Sequence, residues 1–378
     1  MSTEPVAGDA RSRTATVDFG MPVSRNERRA ARSGNRASRQ STRTQSPLRL
    51  PSAGDGANHV ESIDPLRSTI MRGRWRARAA IVAAACTLGS AGSVAHAQDI
   101  EPRAYSNAPV SVNFLIAGYA YTRGGLAFDS SVPITNPQLD TNSGVLGYAR
   151  VLDLWGLSAK FDAVAPYTWL TGTANFAGQP VERDVQGFGD PKFRLSVNFY
   201  GAPALALKDF AAYRQDLIVG ASLQVSVPWG QYDNTKVVNI GTNRGYLKPE
   251  VGISKALGQW TLEAAAAVTV FADNKDFFGG VTRSQDPLYS LQGHLIYSFP
   301  RGIWGSLDGT YFSGGRTTLD GTRNTDLQQN WRVGGTLALP VDASNSVKAY
   351  ASKGVSARTG NNYDLLGIAW QYRWGGGL

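Results

Sequence analysis

The sequence has no long apolar run, few histidines and almost no cysteine. No stretch reaches the ~18 apolar residues that a membrane-spanning helix needs. The 378 residues include one cysteine, Cys86, and three histidines, His59, His96 and His294. One thiol cannot form an internal disulfide, and so few sulfur and imidazole groups exclude a zinc centre built from several Cys or His ligands. The sequence therefore predicts no metal and no cofactor.

Charge is scarce and nearly balanced over most of the chain. The whole sequence has 38 basic and 29 acidic residues, but residues 1–78 alone contain 15 Arg and 7 acidic residues. Subtracting these leaves 23 basic and 22 acidic residues for the rest of the chain. A surface that binds phosphates needs clustered positive charge, so no nucleic-acid partner is expected.

Residues 71–97 have the three parts of a secretory signal peptide. These parts are four arginines at 72–78 after Met71, an apolar stretch at 79–91 and an A-x-A cleavage motif at 95–97. The alternative is a buried alanine-rich helix, but the arginines at its head argue against that. Cleavage after Ala97 would remove Cys86, so the mature chain is expected to lack any thiol. A lipoprotein would instead need cleavage before Cys86, where the usual leucine is missing.

Residues 1–70 cannot build a hydrophobic core. They are rich in Arg, Ser, Ala, Gly and Thr, and Phe19 is their one aromatic residue. We interpret this segment as a start codon assigned too far upstream, with Met71 as the real start. The alternative is a disordered basic extension. The folded domain is expected to span 98–378.

Apolar and polar residues alternate along many segments of 98–378, as they do in a β-strand with one apolar face. The predicted strands are 111–122, 145–154, 157–170, 190–199, 216–229, 245–257, 260–273, 288–299, 303–313, 327–339, 346–353 and 363–374. About ten residues of a tilted strand cross the ~25 Å apolar band of an outer membrane. The pattern predicts an all-β protein, a transmembrane antiparallel β-barrel with about 12 strands in an up-and-down meander.

The connections between these strands alternate in length. The short ones are 155–156, 258–259, 300–302 and 340–345, and the long ones are 123–144, 171–189, 230–244, 274–287, 314–326 and 354–362. Outer-membrane barrels have short periplasmic turns and long external loops, which predicts the outer membrane of a Gram-negative bacterium. The exception, 200–215, is amphipathic and is either a short periplasmic helix or a longer turn. A soluble barrel with an apolar core remains the alternative fold.

Two features describe the faces of the predicted strands. Aromatic residues gather at strand ends, as in the interfacial girdles of membrane barrels. The polar face of most strands is clear, whereas the faces of 111–122, 145–154 and 346–353 remain ambiguous. We expect the strand 363–374 to close the barrel by pairing with 111–122.

The polar faces predict which side chains line the barrel interior. The candidates are Lys160, Asp162, Lys192, Arg194, Gln224, Glu250, Glu263, His294, Asp308, Arg332 and Arg373. Charges inside a barrel must be hydrated or paired. They form either a network of ion pairs that braces the wall or the lining of a selective pore. Twelve strands predict a narrow or partly plugged passage.

Catalysis has little support in the sequence. His294 is the one histidine beyond the predicted cleavage site, and Ser290 and Ser298 lie ~13 Å from it along the strand, outside hydrogen-bond reach. We therefore expect no enzyme and no catalytic residue. The acidic loop 273–276 lacks the ligand spacing of an EF-hand and is interpreted as a solvated loop.

Several segments carry a family resemblance. They are Gly187-Phe188-Gly189-Asp190-Pro191-Lys192-Phe193-Arg194-Leu195, Gly201-Ala202-Pro203, Asp216-Leu217, Val225-Ser226-Val227-Pro228 and Trp370-Gln371-Tyr372-Arg373-Trp374. Together with the strand order, they resemble the outer-membrane transporter family of the meta-pathway of phenol degradation. In one respect the chain departs from other barrels, because Trp374 is followed by Gly375-Gly376-Gly377-Leu378 and the usual terminal aromatic residue is displaced.

The resemblance implies an outer-membrane channel that admits small hydrophobic or aromatic solutes passively. Its expected partners are outer-membrane lipid, the barrel assembly machinery and those solutes. A structural or adhesive barrel without transport is the alternative function, followed by an acyl hydrolase embedded in the barrel.

Overall fold

The computed structural model describes residues 101–125, 134–359 and 362–377. The expected extension at 1–70 and the expected signal peptide at 71–97 lie outside the described residues. Within the described ranges, no helix is both long and apolar enough to pass through a membrane.

The described chain is almost entirely β-structure. Its strands are β1 Val112–Gly125, β2 Ile134–Leu154, β3 Leu157–Phe176, β4 Gln179–Phe188, β5 Lys192–Tyr200, β6 Leu217–Ser226, β7 Tyr246–Leu257, β8 Trp260–Phe271, β9 Asn274–Phe277, β10 Val281–Gln285, β11 Leu288–Ser298, β12 Trp304–Gly314, β13 Thr317–Leu319, β14 Thr322–Arg323, β15 Gln328–Pro340, β16 Asn345–Ala357 and β17 Asn362–Gly375. The described residues also contain one short α-helix, α1, at Leu207–Phe210, and two single-turn 3-10 helices at Phe278–Gly280 and Pro300–Gly302.

The long strands close into an antiparallel barrel, which confirms the predicted fold class. Their order around the wall is β2-β1-β17-β16-β15-β12-β11-β8-β7-β6-β5-β3, and the pairing of β2 with β3 closes the ring. β4 and β5 pair with successive parts of the same edge of β3, so β4 and β5 together occupy one strand position in the wall. The barrel therefore has twelve strand positions and an up-and-down course.

Alternation of side chains separates the inside of the barrel from its outer face. Along β7 the residues are alternately buried and exposed: Lys248 and Glu250 are buried, whereas Leu247, Val251 and Ile253 are exposed. The exposed residues are the apolar ones. Burial of polar side chains and exposure of aliphatic ones reverses the arrangement of a soluble barrel and places the apolar face toward lipid.

The last strand closes the barrel as expected. β17 pairs with β1 from Val112↔Gly375 to Gly125↔Asn362. Trp370 and Tyr372 stack in parallel on the outer face, with ring centroids 6.1 Å apart. Because these rings lie at one end of the barrel wall, they fit an interfacial girdle.

Two of the predicted external loops are wrong, because strands continue through them. β2 already begins at Ile134, inside the predicted loop 123–144. β3 and β4 form a hairpin through most of 171–189, joined by a turn in which Ala177 and Gly178 have φ of 48° and 82°. Membrane thickness sets only the minimum strand length, and pairing with a neighbouring strand satisfies the backbone groups beyond it.

Two further external connections also contain strands. β9, β10, β13 and β14 form a separate four-stranded sheet within the predicted loops 274–287 and 314–326. On the opposite side, the short turns occur at the expected places, and the longer segment 200–215 contains α1. Tyr213 fastens this segment by donating a hydrogen bond of 2.7 Å to the carbonyl oxygen of Gly201.

Candidate channel interior

The inner wall carries most of the side chains predicted to line the barrel. The structure places ten of them on the inner face: Lys160, Asp162, Lys192, Arg194, Gln224, Glu250, Glu263, His294, Asp308 and Arg332. Their strands present them inward because every second residue of a barrel strand faces the interior.

Arg373 is a correction to that set. It shares the inward parity of β17, but it lies past the end of the interior, where its side chain is exposed. Its Nε donates a hydrogen bond of 2.6 Å to the carbonyl oxygen of Ala343, in the turn between β15 and β16. The alternation of residues along a strand shows which face a side chain lies on, but it does not show how far along the barrel axis that side chain lies. The exposure of Arg373 could therefore not be predicted from alternation.

Arg194 is the centre of the strongest charge cluster in the interior. Its Nε lies 3.1 Å from Oδ2 of Asp162 on the neighbouring strand β3. Its Nη1 contacts Oε2 of Glu101, which precedes the barrel in sequence. Two carboxylates on one guanidinium satisfy its buried donors, so this cluster braces the wall and also holds the chain that enters the barrel.

A second charge cluster lies on β7, β11 and β12. Lys248 Nζ is 3.4 Å from Oε2 of Glu250, and His294 Nδ1 is 2.8 Å from Oδ1 of Asp308. Ser306 donates to the other oxygen of Asp308 at 3.0 Å. In the described chain no serine hydroxyl is hydrogen-bonded to His294, so the arrangement is a polar brace and does not have the connectivity of a Ser–His–Asp triad.

The segment 101–110 enters the barrel and fills part of its interior; we refer to it as the plug. The backbone N–H of Arg103 donates 2.6 Å to Oε2 of Glu263, and Lys160 Nζ donates 2.9 Å to the carbonyl oxygen of Ala104. These two contacts reach β8 and β3, which lie four positions apart in the order of strands around the barrel. The plug is therefore held against the part of the wall that runs from β3 to β8.

Tyr105 is the anchor of the plug. Its side chain is 3% exposed, its hydroxyl donates 2.9 Å to Oε1 of Glu250, and its carbonyl accepts from Asn198 Nδ2 at 3.1 Å. The ring lies against Gly252, where an added Cβ would come within 2.1 Å of the ring, and against Gly220, where it would come within 2.6 Å. Glycine is thus required at both positions of the wall for the ring to fit.

Glu101 stays ionised at the entrance to the plug. Its side chain is 43% exposed because it faces the water-accessible cavity of the barrel. Burial within the barrel opposes ionisation, but the Arg194 guanidinium, with Lys248 and Lys348 further away, lowers the pKa of Glu101 to about 2. The attraction to Arg194 therefore persists at any ordinary pH.

A cavity of about 290 Å³ occupies the interior beside the plug. One side of it is charged and includes Asp162 and Arg194. The other side is formed by β1, β2, β3, β16 and β17 and is mostly apolar. The residues of this apolar wall are Ile116, Gly118, Ala120, Val145, Val164, Pro166, Tyr350, Tyr363, Leu365 and Ala369. The interior is therefore amphipathic and not uniformly polar.

Reasoning from the sequence predicted a narrow or partly plugged passage, but it identified neither the segment that forms the plug nor the apolar wall. The sequence did contain an indication of the apolar wall. Three predicted strands had ambiguous faces, and all three contribute residues to this wall: 111–122, 145–154 and 346–353. A strand that is apolar on both faces has lipid on one side and an apolar cavity on the other. The plug had no comparable signal, since 98–110 shows no alternation.

Comparison with known proteins identifies the family. A family model described as "Putative MetA-pathway of phenol degradation" matches residues 122–372, well over half of the chain. The chain belongs to this family. The resemblance deduced from the sequence is thereby confirmed. No curated protein is significantly similar in sequence.

Solved structures show that this family member has the fold of an outer-membrane barrel. An outer membrane channel from Pseudomonas putida F1 superposes with a TM-score of 0.63 at 19% identity, covering 73% of this chain and 100% of that one. The transport unit of the autotransporter AIDA-I from Escherichia coli covers 74% and 93%, with 7% identity and a TM-score of 0.44. The superposition on the first of these shows the fold, and the apolar outer face of this barrel places the protein in the outer membrane of a Gram-negative bacterium.

In this family member the Gly-Phe-Gly-Asp motif joins an external loop to the wall. Asp190 is 1% exposed and accepts hydrogen bonds from Gly230 N at 2.8 Å, Thr242 N at 2.8 Å and Thr242 Oγ1 at 2.6 Å. A Cβ on Gly187 would lie 2.7 Å from Cβ of Gln231 in the same loop. The segment that carries the resemblance therefore has a structural role, which is to hold the loop 227–245 over the barrel.

Proposed function

We propose that the protein is a passive channel that admits small hydrophobic or aromatic compounds through the outer membrane. One observation carries the proposal: the barrel interior contains a cavity with an apolar wall, formed by side chains such as Ile116, Val145 and Leu365. An interior that only braced the barrel would gain nothing from apolar side chains in contact with water. The description of the family, which refers to phenol degradation, supports the same class of solute.

The plug makes the proposed channel selective against free flow of ions. Tyr105 and the charged groups around it fill the barrel where the cavity ends. A hydrated ion would have to separate the hydrogen bonds of Tyr105 and Arg103, whereas an apolar solute has the apolar wall of β1 and β17 available. The similar barrel from Pseudomonas putida F1 is itself described as a channel, which supports this proposal.

We further propose that the protein is not an enzyme. His294, the one histidine within the described residues, is engaged through Nδ1 by Asp308 inside the polar brace. The outer face, with exposed side chains such as Leu146 and Leu307, fits outer-membrane lipid as the surrounding partner.

A steric block of the cavity tests the proposed function. Gly118 lines the cavity, and a Cβ there has only ordinary contacts of 3.5 to 3.7 Å, so Gly118→Trp should fold and fill the cavity. Uptake of a fluorescent aromatic amine by cells with an intact lipopolysaccharide layer should fall roughly to the level of cells without the protein.

The matched control is Gly144→Trp on the neighbouring strand. Gly144 is half-buried on the outer face, and a Cβ there meets nothing within 4 Å. This variant should take up the dye as fast as the wild-type protein. Equal uptake by wild type, Gly118→Trp and cells without the protein would contradict the proposal and favour a structural barrel.

A further inference from the structure

We propose that Lys348 binds the carboxylate of a small aromatic acid inside the cavity. The inference rests on the proposed function and narrows its solute class from hydrophobic compounds in general to aromatic anions. It follows from three observations: the direct partners of the charged side chains in the cavity, the position of Lys348, and the apolar groups beside it.

The carboxylates of the cavity are already occupied by other partners. Glu101 and Asp162 both contact Arg194, and Asp308 is held by His294. Each of these acids therefore has a neighbour closer than any lysine of β16. A fourth acid, Asp190, accepts hydrogen bonds from Gly230 and Thr242. None of the four carboxylates forms a direct ion pair with Lys348, although Glu101 and Asp308 attract its ammonium group from further away.

Lys348 lines the cavity and, within the described ranges, has neither a hydrogen bond nor an ion pair. Arg194 is paired as above, and Lys192 has an interaction of its own. The contact described for Lys348 is with the Tyr350 ring, whose centroid lies 5.7 Å from its Nζ. An ammonium group with three donors and one ring contact can accept an anion without breaking an existing pair.

Lys348 nevertheless belongs to the inner face. Its partners in register are Ala338 on β15 and Ala369 on β17, and both of these are buried. The side chain itself is exposed, because it extends into the cavity that it lines. Water in the cavity solvates the ammonium group, and an incoming carboxylate would replace that water with a charge-assisted hydrogen bond.

The surroundings of Lys348 favour an aromatic body on the anion. Tyr350 lies so close over Gly367 that a Cβ there would come within 2.2 Å of its ring, which fixes the ring as a flat wall. Leu365 and Ile116 continue the apolar surface of the same cavity. A volume of about 290 Å³ is at the small end of the range for ligand pockets, so it suits a single ring with one carboxylate.

Binding of benzoate and benzyl alcohol to the full-length protein in detergent tests the inference by calorimetry. The two probes share an aromatic ring and differ in charge. Wild-type protein should bind benzoate at least about tenfold more tightly than benzyl alcohol, since hydrogen bonds to charged groups are the stronger ones. Acetate, which has the charge without the ring, should bind more weakly than benzoate.

Two lysine variants on one strand locate the site. Lys348→Met should lose the preference for benzoate and keep the affinity for benzyl alcohol. Lys353→Met is the matched control, because Lys353 pairs with Asp364 at 3.1 Å and does not line the cavity. It should bind both probes as the wild type does.

Each other outcome contradicts the inference in a recognisable way. If wild type binds the two probes equally, or Lys348→Met leaves benzoate binding unchanged, the carboxylate site is wrong while the channel proposal stands. If acetate binds as tightly as benzoate, the site takes any small anion and the aromatic class is wrong. If neither ring compound binds, the proposed function fails as well. A salt titration of the wild-type protein covers the case in which Lys348→Met does not fold. If the affinity of the wild type for benzoate does not fall as the salt concentration rises, the proposal is wrong.

Discussion

Asp190 shows how one carboxylate holds an external loop to the barrel. Its three accepted hydrogen bonds come from Gly230 and Thr242, and all three lie within 2.8 Å. Asp190→Ala should cost about 1–3 kcal/mol for each buried donor left without an acceptor. We expect trypsin to cleave the variant after Lys236 under conditions in which the wild-type loop is resistant, as measured by mass spectrometry.

The control for this variant is Asp184→Asn, on the exposed side of the β3–β4 hairpin. It changes an aspartate without removing an acceptor from the loop 227–245. If Asp190→Ala resists trypsin as well as Asp184→Asn does, the loop 227–245 is held by contacts other than those of Asp190.

Gly252 determines whether the plug fits. Its missing Cβ leaves room for the Tyr105 ring, so Gly252→Leu should force the ring out of its site. Overpacking of this kind costs about 1–3 kcal/mol, comparable with the hydrogen bonds that hold the ring. In planar bilayers the variant should show higher ion conductance than the wild type. Gly309→Ala, where a Cβ meets nothing within 4 Å, should conduct as the wild type does.

Glu101 predicts how plug stability depends on pH. Its pKa is lowered from 4.5 to about 2, so its contribution is complete above pH 4.5 and is lost as the pH falls toward 2. The temperature at which the folded band disappears on a gel should be higher for the wild type than for Glu101→Gln by a constant amount from about pH 8 to about pH 5. That difference should shrink at lower pH. A difference that grows on acidification would contradict the pairing of Glu101 with Arg194.

At the level of elements, sequence alternation predicted the membrane-spanning strands well, because lipid on one side imposes a period of two. The strand starting at Trp260, for example, begins where the pattern placed it. The external parts of β2, β3 and β4 were not predicted. These parts lie beyond the membrane, so lipid does not impose an apolar outer face on them, and pairing between strands keeps them extended.

The external β3–β4 hairpin can be tested by labelling. In β4 the residues from Gln179 to Phe188 alternate between exposed and half-buried. The mature chain is expected to lack other thiols, so single cysteines can be placed at 182, 183, 184 and 185 and labelled on intact cells with a membrane-impermeant maleimide. The cysteines at 182 and 184 should react fast, and those at 183 and 185 should react slowly. Uniform reactivity would indicate a loop, as the sequence had suggested.

At the level of the whole molecule, closure of the barrel could be predicted from local sequence patterns, whereas the segment and the cavity inside the barrel could not. Strand count, turn lengths and the pairing of β17 with β1 follow from alternation and loop lengths. The plug depends on contacts between Tyr105 and Glu250, which are 145 positions apart in sequence. Pairings over that distance have no periodic signature, and this explains why strand alternation indicated inward-facing side chains but not the segment that forms the plug or the apolar wall of the cavity.

The central claim is that an aromatic solute occupies the interior cavity. Crystals of the protein soaked with a bromine-labelled phenol test this most directly, because anomalous scattering locates the bromine. We predict an anomalous peak inside the barrel, between Ile116 and Val145 on one side and Leu365 on the other. Peaks only on the outer, lipid-facing surface, with none in the cavity, would contradict the account.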